Sequence, residues 1–138
     1  MSRGRQTDIL MRNEAFYTAF TTRDLAAMKS LWASEMHVSC IHPGGVPLLG
    51  REVVIESWVQ ILSSPVRSSL QCLEPKVHLL GEDLALVVCF EQHGTETLTA
   101  TNIFAFESAD WVLIHHQSGP VAAEVSALAD IPPPRLLQ

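Results

Sequence analysis

Apolar side chains near the N-terminus recur at three- and four-residue spacing. Ile9 and Phe16 belong to this series, which places its members on one face of an α-helix. Thr7 or Asp8 precedes the series and is a candidate N-cap, because a side-chain oxygen there accepts a hydrogen bond from a free backbone N–H. The pattern predicts a first helix that starts near these residues, after a disordered N-terminus formed by the polar residues 1–6.

Two more helical stretches follow, with a short strand between them. Residues 23–33 and 51–62 both keep a helical period, and Thr21-Thr22 ends the first helix and offers a cap for the second. Met36–His42 is rich in β-forming side chains and predicts a strand that ends at a Pro-Gly-Gly turn. Pro47 predicts that the chain before the third helix is irregular.

Turn-forming residues divide the second half of the chain into four strand-like stretches. The links between them are short, and strands joined by short turns pair as antiparallel neighbours. Helices followed by such a meander predict an α+β domain, with three N-terminal helices packed on one face of a mostly antiparallel sheet. The four predicted strands are Leu70–Leu80, Leu84–His93, Leu98–Glu107 and Trp111–Ser118.

The second of these strands carries apolar side chains on both faces. Leu86 and Val88 lie on one face and Val87 and Cys89 on the other, because side chains alternate along a strand. One face covers the helices, and the other is then an apolar surface that requires a partner. We predict a homodimer through this sheet face. The alternative is that the proline-containing C-terminal tail, residues 122–138, folds back over it.

Charge and composition narrow the range of partners. Fifteen Asp and Glu residues oppose nine Lys and Arg residues, for a net charge of −6, and no basic stripe is present that would bind nucleic acid or an anionic membrane. The longest apolar runs fall well short of the roughly 20 residues that span a bilayer. No apolar stretch typical of a signal peptide follows residues 1–6. We therefore expect a cytoplasmic protein that binds neither nucleic acid nor membrane.

The chain shows no spacing typical of a metal site. Cys40, Cys72 and Cys89 are far apart and each falls in a strand-like segment. Because no Cys-x-x-Cys pair is present, they are interpreted as reduced core thiols rather than as a disulfide or a zinc site. The six histidines lack a motif such as His-Glu-x-x-His. No metal and no organic cofactor are expected.

Histidine and tryptophan supply the candidate functional side chains. His115 and His116 point to opposite faces of a strand, so only one of them can enter a cavity beneath the helices. His42 could reach the same cavity from the first strand. Trp58 lies on the inner face of the third helix and is expected to line such a cavity, with core packing as the alternative.

Glu91 and His93 form a further candidate pair. They are two positions apart and therefore share one face of a strand. Near the strand end, they are interpreted as a solvated ion pair.

Three sequence phrases carry a resemblance to a known family. They are AFYTAFTTRDLAAMKSLWASEMHVSCIHPGG, LLGREVVIESW and TNIFAFESADWVLIHHQSGPV. Together with the element order, they resemble the NTF2-like superfamily and, within it, the SnoaL-like and ketosteroid-isomerase-like branch. The resemblance covers residues 7–121 as one domain. It implies a cystatin-like cone, in which a strongly curved sheet wraps three helices around an apolar pocket, and dimers that form through the sheet.

The resemblance also implies roles for single residues. The catalytic Asp of the isomerases lies in an Asp-Pro-x-Gly stretch that matches HPGG at His42, and an imidazole with its ordinary pKa of ~6.5 can serve as a base at neutral pH. Their neutral, hydrogen-bonding Asp matches Asn102, which donates a hydrogen bond without a pKa shift. Their oxyanion Tyr matches Phe16. Tyr17 lies about 100° further around the helix, so this donor is expected to be absent.

The end of the domain resembles a second group of the superfamily. The phrase HQSG, which starts at His116, is similar to the last strand of kinase-associated oligomerisation domains, where the matching histidine lines a pocket. This favours His116 over His115 as the inward side chain. Aromatic side chains are assigned to the ligand-binding wall, namely Phe16, Tyr17, Trp32, Trp58 and Phe104.

Two functions are consistent with these residues. The first is an enzyme without cofactor, an isomerase, cyclase or dehydratase, that binds a small, mostly apolar molecule with a carbonyl group. His42 would remove a proton α to the carbonyl, and Asn102 and His116 would hydrogen-bond the developing enolate. The second is a non-catalytic ligand-binding or dimerisation module, which the absent oxyanion Tyr favours.

Overall fold

The structure is a computed structural model that describes residues 2–66 and 68–122. Three helices and six strands lie within these ranges. The helices are α1 (Ser2–Thr22), α2 (Leu25–Leu31) and α3 (Arg51–Leu62). The strands are β1 (Ser39–Ile41), β2 (Leu48–Leu49), β3 (Gln71–Leu79), β4 (Leu84–His93), β5 (Glu96–Glu107) and β6 (Asp110–Pro120). Residues 123–138 of the proline-containing tail lie outside the described residues, and so does the alternative that this tail covers the sheet.

The first helix starts earlier than the sequence predicts. Helix α1 begins at Ser2 rather than at Thr7 or Asp8, so residues 2–6, expected to be disordered, are helical. The side chain of Arg5 explains the difference, because it donates hydrogen bonds to the carbonyls of Gly81 and Glu82, at 3.4 and 3.0 Å. These contacts dock the first turns of the helix against the β3–β4 turn, which satisfies carbonyls that would otherwise need water.

The second helix is capped by a different residue from the one predicted. Asp24, not Thr21-Thr22, precedes α2, and its carboxylate accepts a hydrogen bond from the N–H of Ala27 at 3.0 Å, as an N-cap does. The helix ends at Leu31 because Trp32 takes extended dihedrals and forms a bridge with Leu113. Residues 51–62 form α3 with the predicted bounds.

The six strands form one mixed sheet in the order β2-β1-β6-β5-β4-β3. The predicted meander is confirmed, since β3, β4, β5 and β6 pair as antiparallel neighbours, and β1 pairs with β6 in parallel. The expectation that the chain after Pro47 is irregular is wrong at Leu48–Leu49, which pairs with Ser39 and Cys40 of β1. The α+β architecture with helices on a mostly antiparallel sheet is therefore confirmed.

The core lies between the helices and the inner face of the sheet. Ile9 and Phe16 of α1 and Trp58 of α3 pack in one cluster with Val87 of β4, each at most 2% exposed. Burial of a side chain of this kind contributes about 1.5–3 kcal/mol to the free energy of folding. No helix among the described residues is long and apolar enough to cross a bilayer.

Strand β4 has the alternation that the sequence predicts. Its inward side chains, Ala85, Val87 and Cys89, are buried. The outward apolar side chains Leu84, Leu86, Val88 and Phe90, here called the outer row, are half-buried. A row of apolar side chains therefore remains on the sheet face away from the helices.

Candidate functional site

A cavity of about 160 Å³ lies between α3 and the inner face of the sheet. Most of its wall is apolar, and its polar side chains come from β1, β4 and β6. The lining residues are Phe20, His42, Pro43, Trp58, Ile61, Leu70, Glu91, His93, Leu98, His116 and Ser118. A cavity of this volume encloses a molecule about the size of benzene.

His42 follows β1 and is held in the cavity wall by α3. Its Nε2 lies 2.9 Å from Ser57 Oγ, whose hydroxyl donates to the carbonyl of Val54 at 2.6 Å. Since that hydroxyl hydrogen is already used, Nε2–H of His42 donates to Ser57 and Nδ1 carries the lone pair. Trp58 packs edge-on against the ring, with centroids 4.8 Å apart. Burial lowers the pKa of His42, so the ring is a neutral base.

His116 enters the cavity from β6. Its Nδ1 lies 2.5 Å from Asn102 Oδ1. An amide oxygen accepts only, so Nδ1 carries the hydrogen and Nε2 the lone pair. Burial, and then the nearby His42 and His115, lower the pKa of His116 to about 3. The ring is therefore neutral and offers the cavity a hydrogen-bond acceptor.

Asn102 is the centre of a buried hydrogen-bond network behind His116. Its Nδ2 donates to Asn13 Oδ1 at 2.8 Å and to Tyr17 Oη at 3.1 Å. Both hydrogens of the amide are thus used inside the protein. Tyr17 in turn donates to Glu91 Oε2 at 2.6 Å, so one network joins the histidine to a carboxyl group of the cavity wall.

Glu91 is the functional group that the sequence argument missed. It is 1% exposed, and burial raises the pKa of its carboxyl to about 6, against the opposing effect of hydrogen bonds from Tyr17 and Ser118. The interpretation as a solvated ion pair with His93 is wrong, because Glu91 is buried and its oxygen bonds Tyr17 instead. The alternation along β4, with Val87 and Cys89 inward, is the signal that could have placed Glu91 inside.

The structure brings three of the predicted site residues to the cavity and leaves the others behind its wall. His42, His116 and Trp58 line the cavity. The other predicted residues are buried in the core but do not line it, namely Asn102, Phe16, Tyr17, Trp32 and Phe104. Their contacts explain this position.

Phe16 and Asn102 touch the cavity residues from behind. The ring of Phe16 packs against Trp58 and His116, with centroids 5.4 and 4.8 Å away. Asn102 orients the His116 ring through its Oδ1. Both residues position the wall rather than contact a ligand. The outward neighbour His115 bonds Ser39 Oγ at 2.7 Å, which confirms that the two histidines of β6 face opposite sides.

The three cysteines Cys40, Cys72 and Cys89 are free thiols, and Cys40, beside His42, is not poised as a nucleophile. Burial, followed by the charge of Glu91, raises the pKa of Cys40 to about 12, so its thiol is protonated at neutral pH although its Sγ lies 3.7 Å from Nε2 of His42. The described residues contain no cluster of three or more His, Cys, Asp or Glu side chains that could hold a metal ion.

The arrangement combines two neutral bases and one weak acid in an apolar space. His42 Nδ1 and His116 Nε2 accept protons or hydrogen bonds, and Glu91 can donate a proton near pH 6. Trp58, Phe20 and their neighbours give the cavity a mostly apolar wall, and an apolar surrounding strengthens each electrostatic interaction. Such a set is suited to moving a proton between carbon and oxygen.

Comparison with known proteins identifies the family. The SnoaL-like domain family matches residues 9–123 of this chain. In structure, the chain is similar to a candidate dehydratase of the NTF2-like family from Streptomyces avermitilis, with 29% identity and a TM-score of 0.83. The match covers 89% of this chain and 100% of that one.

Two further relatives are similar over most of this chain. A candidate association domain of calcium/calmodulin-dependent protein kinase type II from Thiobacillus denitrificans is 31% identical, with coverage of 80% and 92% and a TM-score of 0.71. The F-box protein SKIP8 of Arabidopsis thaliana is 30% identical over 112 residues, 80% of this chain but 48% of that protein. The chain thus spans about half the length of this curated relative. The family match and the shared fold together show that the chain belongs to the SnoaL-like domain family of the NTF2-like superfamily.

Proposed function

We propose that the cavity binds a small, mostly apolar molecule with a carbonyl group, and that His42 removes a proton from the carbon next to that carbonyl. The observation that carries this proposal is the neutral His42 ring, fixed by Ser57, in the wall of an apolar cavity that also holds Glu91. The reaction would be an isomerisation, cyclisation or dehydration without a cofactor. The similarity to a candidate dehydratase supports this reaction class.

Cavity size limits the ligand. A volume of about 160 Å³ is close to that of an apolar cavity that holds benzene. A single six-membered ring with one or two oxygen substituents fits this space, whereas a fused four-ring skeleton does not. We therefore propose a monocyclic or short acyclic carbonyl compound as the ligand.

Glu91 is proposed to donate the proton that the departing oxygen of the substrate requires. In a dehydration, His42 Nδ1 takes the α-proton, the electron pair of the C–H bond forms the new C=C bond, and the C–O bond to the β-hydroxyl breaks. The departing hydroxide takes the proton of the Glu91 carboxyl and leaves as water. A water molecule then returns the proton from His42 to the Glu91 carboxylate. The structure therefore favours Glu91 over Asn102 as the donor, since both amide hydrogens of Asn102 are used.

Exchange of α-protons for deuterium tests whether His42 acts as the base. We expect the protein to accelerate the exchange of the α-protons of cyclohexanone for deuterium in D₂O, followed by loss of their ¹H NMR signal. Positioned bases contribute typically 10²–10⁴-fold to proton transfer, so His42→Ala is expected to lower the protein-dependent rate by roughly that factor. His115→Gln is the matched control, because His115 lies on the other sheet face, and it is expected to keep the rate. Equal rates for the wild type and His42→Ala would refute the proposal.

Association through the sheet is a second function that one observation favours. The outer row is half-buried in the isolated chain, and association domains of the kind named above share this fold. We propose that two copies pair through this face, which would remove the outer row from water at roughly 25 cal/mol per Å² of apolar surface. This proposal is independent of catalysis.

A charge in the outer row is expected to separate the two copies. Leu86→Asp would bury a carboxylate in the interface, at a cost of several kcal/mol, so light scattering should give the mass of one chain where the wild type gives that of two. Leu49→Asp is the matched control, because Leu49 is an apolar strand residue, 71% exposed, at the sheet edge. A wild type that is monomeric at micromolar concentration would contradict the proposed dimer.

A further inference from the structure

The buried ring of His116 has one nitrogen that the protein does not use. His116 is 2% exposed and lines the cavity, and its Nδ1–H is bound by Asn102. No hydrogen bond to its Nε2 is found among residues 2–66 and 68–122. This nitrogen is not one of the unpartnered side-chain atoms that the protein encloses completely, so it is open to the cavity that His116 lines. A ligand that fills the cavity removes this acceptor from water, and an acceptor without a donor then stays unpaired at a cost in free energy. A ligand that brings a donor to this nitrogen is therefore favoured.

The network behind the ring fixes which partner can satisfy Nε2. Asn102 cannot turn its amide round, because its Nδ2 donates to Asn13 Oδ1 and Tyr17 Oη while Tyr17 donates to Glu91. If the amide were reversed, the Oδ1 of Asn102 would lie against Asn13 Oδ1, and two acceptors would face each other. The NH₂ group of Asn102 would then lie beside Nδ1 of His116. Asn13 and Tyr17 thus fix the orientation of the Asn102 amide, and Asn102 fixes the His116 tautomer with hydrogen on Nδ1. The Nε2 of His116 therefore remains an acceptor.

We infer that His116 selects ligands that carry a hydroxyl group, which donates its hydrogen to Nε2. This inference rests on the small-molecule site proposed above and adds a second polar group to its ligand, though it does not depend on catalysis by His42. A compound that combines a ring, a carbonyl and a hydroxyl then satisfies the cavity. The apolar side chains Trp58 and Phe20 enclose the ring, and His116 binds the hydroxyl.

The direction of this hydrogen bond distinguishes the site from one that binds an anion. Among the residues that the structure describes, no Arg or Lys side chain lines the cavity, and the two histidines are neutral because burial lowers the pKa of each. A carboxylate or a phenolate would meet the lone pairs of His42 and His116 and the carboxyl of Glu91. Its charge would be desolvated without a cation to balance it, so the neutral hydroxyl form is favoured.

Two probes of equal ring size test the selection. Phenol carries the donor, and anisole is its O-methyl ether without one. Titrations followed by ¹H–¹⁵N NMR are expected to show phenol binding at least tenfold more tightly than anisole, because anisole leaves Nε2 desolvated and unpaired. In the same titration, the ¹⁵N signal of His116 Nε2 should move towards the position of a hydrogen-bonded nitrogen, with the hydrogen still on Nδ1.

A variant series assigns the effect to His116. His116→Phe keeps the ring shape and removes both nitrogens, and it is expected to bind phenol and anisole with equal affinity. His115→Phe is the matched control from the outer sheet face and should keep the tenfold preference. If His116→Phe does not fold, the ¹⁵N shift of Nε2 in the wild type still decides the matter.

The outcomes separate the two proposals. Equal binding of both probes by the wild type would overturn the hydroxyl selection and leave the proposed cavity standing. A phenol-induced shift at His42 Nδ1 alone would overturn the assignment to His116. Binding of neither probe would overturn the selection together with the small-molecule site. A preference for phenol without exchange of cyclohexanone protons would support the selection and remove only the catalytic role of His42.

Discussion

Replacing Asn102 by leucine is expected to lower the free energy of unfolding by about 2–6 kcal/mol. The substitution removes three hydrogen bonds from the interior and leaves His116 Nδ1–H and Asn13 Oδ1 without partners. Each orphaned buried group costs about 1–3 kcal/mol, whereas Tyr17 keeps its bond to Glu91. Because domains of this size are stable by only about 5–15 kcal/mol, the loss is a large part of the total.

Urea unfolding of matched variants measures this loss. Thr101→Val is the control, since Thr101 is adjacent on β5 with its side chain on the opposite face, and it should change the free energy of unfolding by less than about 0.5 kcal/mol. Asn102→Asp is a second test of the same contact. A carboxylate beside Nδ1–H would favour the charged imidazole, so the pKa of His116 should rise. A loss below about 1 kcal/mol in Asn102→Leu would show that Asn102 is not the centre of the network.

Helices and long strands of this domain could be predicted from the sequence because each has one buried face. The apolar period of residues 51–62 gave the bounds of α3, and alternation in Leu84–His93 gave those of β4. The start of α1 and the two residues of β2 were missed for a common reason. Both depend on distant contacts, which are the docking of Arg5 on the β3–β4 turn and the pairing of Leu48 with Cys40.

The site was predicted less completely than the fold. Strand parity showed that only one of His115 and His116 can face inward, and the family resemblance favoured His116. Helical period identified Trp58. Parity would also have placed Glu91 inside, but a charged side chain beside a histidine suggested the surface. The depth of each aromatic side chain depends on how three elements pack, so no local pattern distinguishes Trp58, in the cavity wall, from Phe104, behind it.

The free energy of unfolding is expected to change with pH because of His116 and Glu91. At low pH, His116 lowers this free energy and Glu91 raises it. The pKa of His116 is about 3 in the folded chain, against ~6.5 for a free histidine. Below pH 6.5 the unfolded state therefore binds a proton on this histidine, whereas the folded state does not. Because the unfolded state binds more protons, the free energy of unfolding falls as the pH drops. A pKa difference of about 3.5 units corresponds to about 5 kcal/mol, lost between pH 6.5 and pH 3.

Protonation of Glu91 offsets part of this loss of stability as the pH falls from about 6 to 4.5. The pKa of its carboxyl is raised to about 6 from an ordinary 4.5, so the folded state binds a proton first as the pH falls. Between pH 6 and pH 4.5 this stabilises the folded chain by about 2 kcal/mol relative to neutral pH. Below pH 4.5 the gain from Glu91 is complete, and the loss from His116 continues.

The Glu91→Gln variant separates the two contributions. Since glutamine is neutral at every pH, it avoids the cost of a buried carboxylate, and the variant is expected to be about 2 kcal/mol more stable than the wild type at pH 7.5. The advantage should disappear by pH 4.5, where Glu91 is itself protonated, so the variant loses stability more steeply between these values. Urea unfolding at pH 7.5, 5.5 and 4.5 measures both slopes, with the exposed Glu82→Gln as the control for loss of a charge. Parallel pH profiles for Glu91→Gln and the wild type would mean that Glu91 keeps an ordinary pKa in the folded chain, and the proton donor of the proposed reaction would be lost with it.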